Sequence, residues 1–253
     1  MSDAIRVEKL EFGRATPGSV ATRAVFADAI PGVAFALVSL FGPARWMQPQ
    51  ARAKNFVLLF MDGRGELRSG ERSYAIDGDT IARAPMGQSM DVTVRAGDTL
   101  DFLCIRKEIS EADVADMAQH PLNNVEPWVK RFIDCEPYRE AIKSPKTINR
   151  TLLPAKVIAR VALGTVETTG PDAVEEHRHA MLEQVLLGLR GNDVIVRADG
   201  VDAHLGEFEM LLIPHASMHG ARVDEGRKLH YIWMDFFTEK EGESWLEMHE
   251  PIT

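Results

Sequence analysis

The chain of 253 residues holds only two cysteines, Cys104 and Cys135, and neither stands in a Cys-x-x-Cys spacing. That composition argues against a disulfide scaffold or a thiolate zinc site, and both thiols are expected to be reduced and buried or idle. No apolar run approaches the ~20 residues that span a bilayer, so no membrane segment is expected. Positive charge is also scarce: 29 Lys and Arg stand against 38 Asp and Glu, a net charge of −9, with no basic stripe. Nucleic acid is therefore not expected as a partner, since phosphate neutralisation dominates such affinities. At Met1–Glu8 no basic region leads into an apolar stretch, so no secretory signal is evident and a cytoplasmic location is the default expectation. An apolar content of 45% and a charged content of 26% are those of a soluble globular protein able to bury a core without staples.

Histidine is what stands out in the remainder. The run His177-Arg178-His179-Ala180-Met181-Leu182-Glu183 is followed by Pro214-His215-Ala216-Ser217-Met218-His219. Alternate side chains of an extended strand share a face, so His177 and His179 project together. Glu183 keeps that parity if the strand continues without a bulge, and His219 arrives from a separate strand. Neutral imidazoles and a carboxylate suit first-row divalent metals, and four such ligands leave positions open on an octahedral ion.

Around these residues lie Gly170, Gly191, Gly206 and Pro214, giving Gly, His-x-His, three residues, Glu, Gly, and later Gly, Pro, four residues, His. The pattern resembles the two signature motifs of the cupin superfamily. It departs from them in having six residues between Gly170 and His177, an extra residue before Gly191, and Ala216 where glycine is usual. The resemblance implies an all-β double-stranded β-helix, or jelly-roll barrel, whose mouth holds one divalent metal on His177, His179, Glu183 and His219. Mn or Fe is expected first, with Ni or Zn as alternatives.

A second copy of the pattern precedes the first. Phe56–Gly63 can be laid on Gln184–Gly191 with an offset of 191 − 63 = 128, and Pro85–Met90 on Pro214–His219 with an offset of 219 − 90 = 129. Carried back, the ligand positions become Pro49, Ala51, Asn55 and Met90, which form no ordinary metal-ligand set. The chain therefore resembles a bicupin with an emptied N-terminal barrel over 1–108, a helical connector over 109–147 and a metal-binding barrel over 148–253. Its layout resembles that of ureidoglycine aminohydrolases, although those use Glu, two His and Gln, so their substrate is not carried over.

Short β-branched or aromatic segments support this reading: Ala34–Leu40, Phe56–Phe60, Thr99–Ile105, Val157–Val161, Gln184–Leu189, Asp193–Arg197, Glu209–Ile213 and Leu229–Phe237. In the connector, Ser110 is placed to cap a helix running to Ala118. A second helix is expected within Val125–Ile142, where Trp128, Val129, Phe132, Ile133 and Ile142 fall near one helical face, interrupted by Pro137.

Met181, Val185 and Leu187 share the ligands' parity and are expected to line the pocket. His230, Tyr231 and Trp233 lie on a late strand whose inward face the sequence leaves open. His230 is a candidate acid or base near neutral pH, with a hydrogen-bonded structural role as the alternative. A divalent ion among these ligands leaves the site positive, which favours a small anionic or oxygen-rich substrate such as a carboxylate, enol or ureido compound. The function expected is a metal-dependent enzyme of dioxygenase, hydrolase or isomerase type. The alternative is a non-catalytic bicupin that binds a metal or metabolite, and jelly-roll edges also invite a homo-oligomer.

Overall fold

The computed structural model describes residues 5–48, 50–51, 53–248 and 250–251. The chain divides into two compact units, Glu11–Asp134 and Met1–Leu10 with Cys135–Thr253. These boundaries differ from 108 and 147. The reason is strand pairing: β1 (Arg6–Lys9) adds to an edge strand of the second unit, at Glu209–Leu212, and residues 135–147 enter that unit as well.

The first unit contains β2 (Ser19–Ile30), β3 (Val33–Phe41), β4 (Ala44–Gln48), β5 (Lys54–Ser69), β6 (Arg72–Asp77), β7 (Thr80–Arg83), β8 (Met90–Val94) and β9 (Thr99–Glu108), followed by α1 (Glu111–Met117) and β10 (Trp128–Arg131). One face is the sheet β10-β7-β5-β9-β3-β2; the other is built from β4, β8, β6 and the second half of β5. Leu58, Phe60, Leu67, Val92 and Phe102 close the space between them as the core. Ser110 caps α1 through a reciprocal pair with Asp113, as the sequence predicts. Among the described residues no second α-helix forms within 125–142; the helical part there is one 3-10 turn at Phe132–Asp134. Trp128–Arg131 pairs with β7 instead, because a free sheet edge offers this stretch backbone partners that a short helix interrupted by Pro137 lacks.

The second unit adds β11 (Glu136–Arg139), β12 (Ile148–Ile158), β13 (Val161–Thr169), β14 (Asp172–Arg178), β15 (Leu182–Gly188), β16 (Asp193–Ala198), β17 (Val201–Gly206), β18 (Glu209–Ile213), β19 (Met218–Val223), β20 (Lys228–Phe237) and β21 (Glu250–Pro251). Its faces are β1-β18-β15-β20-β13-β12-β11-β21 and β14-β19-β16-β17. The segment 157–161, expected as a strand, holds the turn between β12 and β13, with Arg160 at φ 61°. Alternation sets the inner face: Val194, Val196 and Ala198 are buried while Arg197 points out.

The order β2-β3-β9-β5-β7 repeats as β12-β13-β20-β15-β18, and β4 pairs β8 as β14 pairs β19. One local contact repeats too. A Cβ on Gly42 would stand 1.8 Å from the Arg95 carbonyl oxygen, and a Cβ on Gly170 would stand 1.9 Å from that of Asp224. Glycine is obligatory at both, and the spacings (170 − 42 = 128 and 224 − 95 = 129) match those of the two motifs. Neither cysteine forms a disulfide and both are buried; burial pushes the Cys104 thiol up to about 12.

Candidate metal centre

The site begins with a register shift. Val174 pairs with Ala221, yet His177 pairs with His219, so three steps on β14 oppose two on β19. This bulge at Glu175–Glu176 turns His177 to the face that Val174 already occupies, where plain alternation would turn it away. The crowding explains Gly220: a Cβ there would lie 2.8 Å from the Val174 carbonyl oxygen and 3.2 Å from the Cα of Glu176.

His179 follows the end of β14, and His219 stands on β19. The ring centroids are 4.8 Å apart for His177 and His179, 4.6 Å for His177 and His219, and 5.2 Å for His179 and His219. One nitrogen from each lies within 4.8 Å of the others, and among the described residues this is the group of His, Cys, Asp or Glu able to hold a metal. Nδ1 of His219 lies 3.0 Å from the Ser217 carbonyl, and Nδ1 of His177 lies 2.6 Å from that of Glu175. Donation to a carbonyl places the proton on Nδ1 and leaves Nε2 as the lone-pair atom, the usual arrangement of a metal-bound imidazole. Nε2 of His219 is buried without a hydrogen-bond partner, as expected of an atom built to meet an ion. Burial pushes His179 down to about 3 and His219 to about 4, and lowers His177, so all three imidazoles are neutral ligands at neutral pH. The residues fit a divalent metal.

Glu183 does not join them. β14 ends at Arg178 and a new strand starts at Leu182, so parity is reset between the two. The Glu183 carboxylate lies 3.2 Å from Nδ1 of His215, and the neighbouring Gln184 is the residue that enters the pocket. The same reset corrects Val185 and Leu187, which are fully buried on the opposite face of β15 from Gln184 and Leu186. Met181 packs against the core, and its carbonyl accepts from Thr238. His230 lies outside the pocket, its Nδ1 3.3 Å from the Arg190 carbonyl, whereas Tyr231, Trp233 and Asp235 form the inward face of β20.

The pocket encloses about 500 Å³ including its open mouth. Its far wall is polar and was not visible in the sequence. Glu140 and Lys143 pair at 2.5 Å with both side chains about 95% buried, 5% and 6% exposed. Their segment is pinned over β14 by the Glu175 amide, which donates to the Ile142 carbonyl at 3.0 Å, and by a bridge from Lys143 to Val174. Gln184 donates to Asp235, and burial pushes the Asp235 carboxyl up to about 7. Trp233 donates to the Tyr138 hydroxyl at 3.2 Å, fixing the indole wall.

In the first unit, the equivalent positions Ala51, Asn55 and Met90 line a pocket of about 180 Å³ with Gln48 and Phe56; Pro49 lies outside the described residues. Asn55 is the polar remnant, and its Nδ2 is buried without a partner.

No family model and no curated protein matches this sequence. Solved structures do match its shape. The cupin 2 conserved barrel domain protein from Leptotrichia buccalis aligns with a TM-score of 0.63 at 12% identity, over 91% of this chain and 99% of that one. The chain carries the cupin fold, in two copies. Protein Ylba from E. coli aligns at 0.67 and 10% identity, over 94% of this chain and 93% of that one. Procruciferin, an 11S globulin from Brassica napus, aligns at 0.65 and 9%, over 92% and 85%. Identities this low establish the fold and leave the chemistry to the site. Among the described residues no helix is long and apolar enough to cross a membrane.

Proposed function

We propose that the chain is a metal-dependent cupin enzyme that transforms a small anionic or oxygen-rich metabolite in the pocket of its second barrel. The observation that carries this reading is the buried, unpartnered Nε2 of His219 in a cluster with His177 and His179 whose ligand nitrogens lie within 4.8 Å of one another. A divalent ion held by these three, Mn or Fe before Ni or Zn, would supply Lewis acidity toward an oxygen of the substrate. The surrounding walls favour an enzyme over a scaffold. A barrel that merely stores or stacks has no need of a buried Lys143–Glu140 pair and a buried Asp235, each of which costs desolvation free energy. Asp235, raised towards neutrality, holds a proton that a bound substrate can exchange. Val174, Leu186 and Trp233 line the same pocket and give it apolar wall beside the imidazoles and these groups.

Elemental analysis of the purified protein tests the reading, beside a His177→Ala, His219→Ala double variant. One divalent ion per chain in the wild type and none in the variant is the expected result. Retention of the ion by the variant, or a wild type that stays metal-free after reconstitution, overturns it.

A further inference from the structure

Lys143 carries three N–H donors on an ammonium that is 6% exposed, and among the described residues Glu140 is the one acceptor it meets. The aromatic ring of Tyr138 lies 5.7 Å from Nζ and adds a cation–π contact without accepting a conventional hydrogen bond. A buried ammonium with donors left over is costly unless something else accepts from them. Lys143 lines the same pocket as the three imidazoles, near enough for its charge to bear on His177 and His179. The backbone bridge to Val174 and the Ile142 carbonyl bond hold it there, so its position is built rather than adopted by a loose surface lysine.

We infer that Lys143 is the anchor for the carboxylate of a small carboxylic acid whose second oxygen function faces His177, His179 and His219. The inference rests on the proposed function, since it assigns the substrate class of that site. Charge balance supports it. Lys143 and Glu140 cancel each other, the imidazoles are neutral, and the two charges of a divalent ion exceed the one that Asp235 can carry, so the pocket stays positive until an anion enters. Ile142, Leu186 and Trp233 line the same pocket and suit a short apolar middle. Lys143 is a specificity residue in this scheme; Glu140 fixes its direction.

The test is calorimetric titration of the metal-loaded protein with two- to four-carbon 2-oxo acids and with their uncharged amides. Wild type should bind the acids at least about tenfold more tightly than the amides, the range of one hydrogen bond to a charged group. Lys143→Met alone strands the Glu140 carboxylate, so the informative variant is Glu140→Gln with Lys143→Met, a neutral pair of similar length. In it the preference should vanish while metal content and melting behaviour hold. Equal binding of acid and amide by the wild type, no binding of either across the series, or a preference surviving in the double variant each overturns the inference. Metal content measured on the same samples separates the two readings: a wild type that stays metal-free overturns the proposed function, whereas a metal-loaded wild type that binds acid and amide alike overturns this inference alone.

Discussion

Gln184 Nε2 donates a 2.8 Å hydrogen bond to Oδ1 of Asp235, its partner across β15 and β20. Burial drives the Asp235 carboxyl up to about 7; Gln184 and the nearby Lys143 oppose that shift, and Glu140 adds to it. A carboxyl raised above its unfolded value of ~3.9 binds more protons in the folded state, so its contribution to stability is greatest below about pH 4 and declines as pH rises to about 7. Asp235→Asn keeps a hydrogen-bonding side chain for Gln184 and removes the ionisation. Denaturant unfolding of the variant should be flatter than wild type between pH 4 and 7, with a relative gain at pH 8 of up to roughly 4 kcal/mol. Parallel pH profiles for the two proteins would contradict this account of Asp235.

Because Glu183 faces His215 rather than the three imidazoles, Glu183→Gln should leave metal content unchanged. The pair is partly exposed, so the variant should lose no more than ~1 kcal/mol of stability. His219→Ala should lose the ion. A loss of metal in Glu183→Gln comparable to that in His219→Ala would restore the carboxylate to the ligand set.

The strands and the repeat were legible because turn residues and period-2 patterns are local, and so was the His pair. Glu183 was not placed correctly because parity was counted through Ala180 and Met181, where β14 gives way to β15. The signal for Gln184 is present in the chain all the same: the extra residue before Gly191 disappears when counting starts one position later. The bulge that turns His177 inward leaves no mark in composition, since it depends on a register between strands some forty residues apart. Glu140 and Lys143 were invisible for a different reason. A pair of opposite charges three residues apart reads as a solvated surface, and only the packing of its segment over β14 buries it.

Asp172 clamps the turn that follows Lys143, accepting from Thr168 and Ser144 at 2.8 Å and from Thr147 at 3.2 Å. Burial alone would raise its carboxyl, but these bonds and the Ala173 amide together hold it below the usual range. A depressed carboxylate contributes stability that is present above its unfolded pKa of ~3.9 and is lost as pH falls through its folded value. Asp172→Asn should therefore cost ~2 kcal/mol at pH 7 and progressively less below about pH 4. Urea unfolding at pH 7 and pH 3 checks this: an equal deficit at both would show that the clamp acts by shape and not by charge.

Gly220 lies beside His219 and against the bulge of β14, so it supports the centre without ligating it. In Gly220→Ala the new Cβ would meet the Val174 carbonyl oxygen at 2.8 Å, closer than a carbon tolerates, and of its two other near neighbours, Cα and Cγ of Glu176 at 3.2 Å, the first is also backbone. The strand that must yield is the one whose bulge aims His177, because β19 is held on its other side by β16. His177 should then be displaced relative to His179 and His219. Loss of a ligand's supporting contact typically weakens a metal site by about 10- to 100-fold, and competition with a chromophoric chelator should show a weakening in that range with the fold intact by circular dichroism. Gly164→Ala is the control: its Cβ would press on the Trp233 ring at 2.4 Å, so it perturbs the same barrel without touching β14 or β19. If both variants weaken the metal equally, the bulge has no special role in aiming His177. If only Gly220→Ala does, the one-residue register shift at Glu175–Glu176 is what assembles the centre.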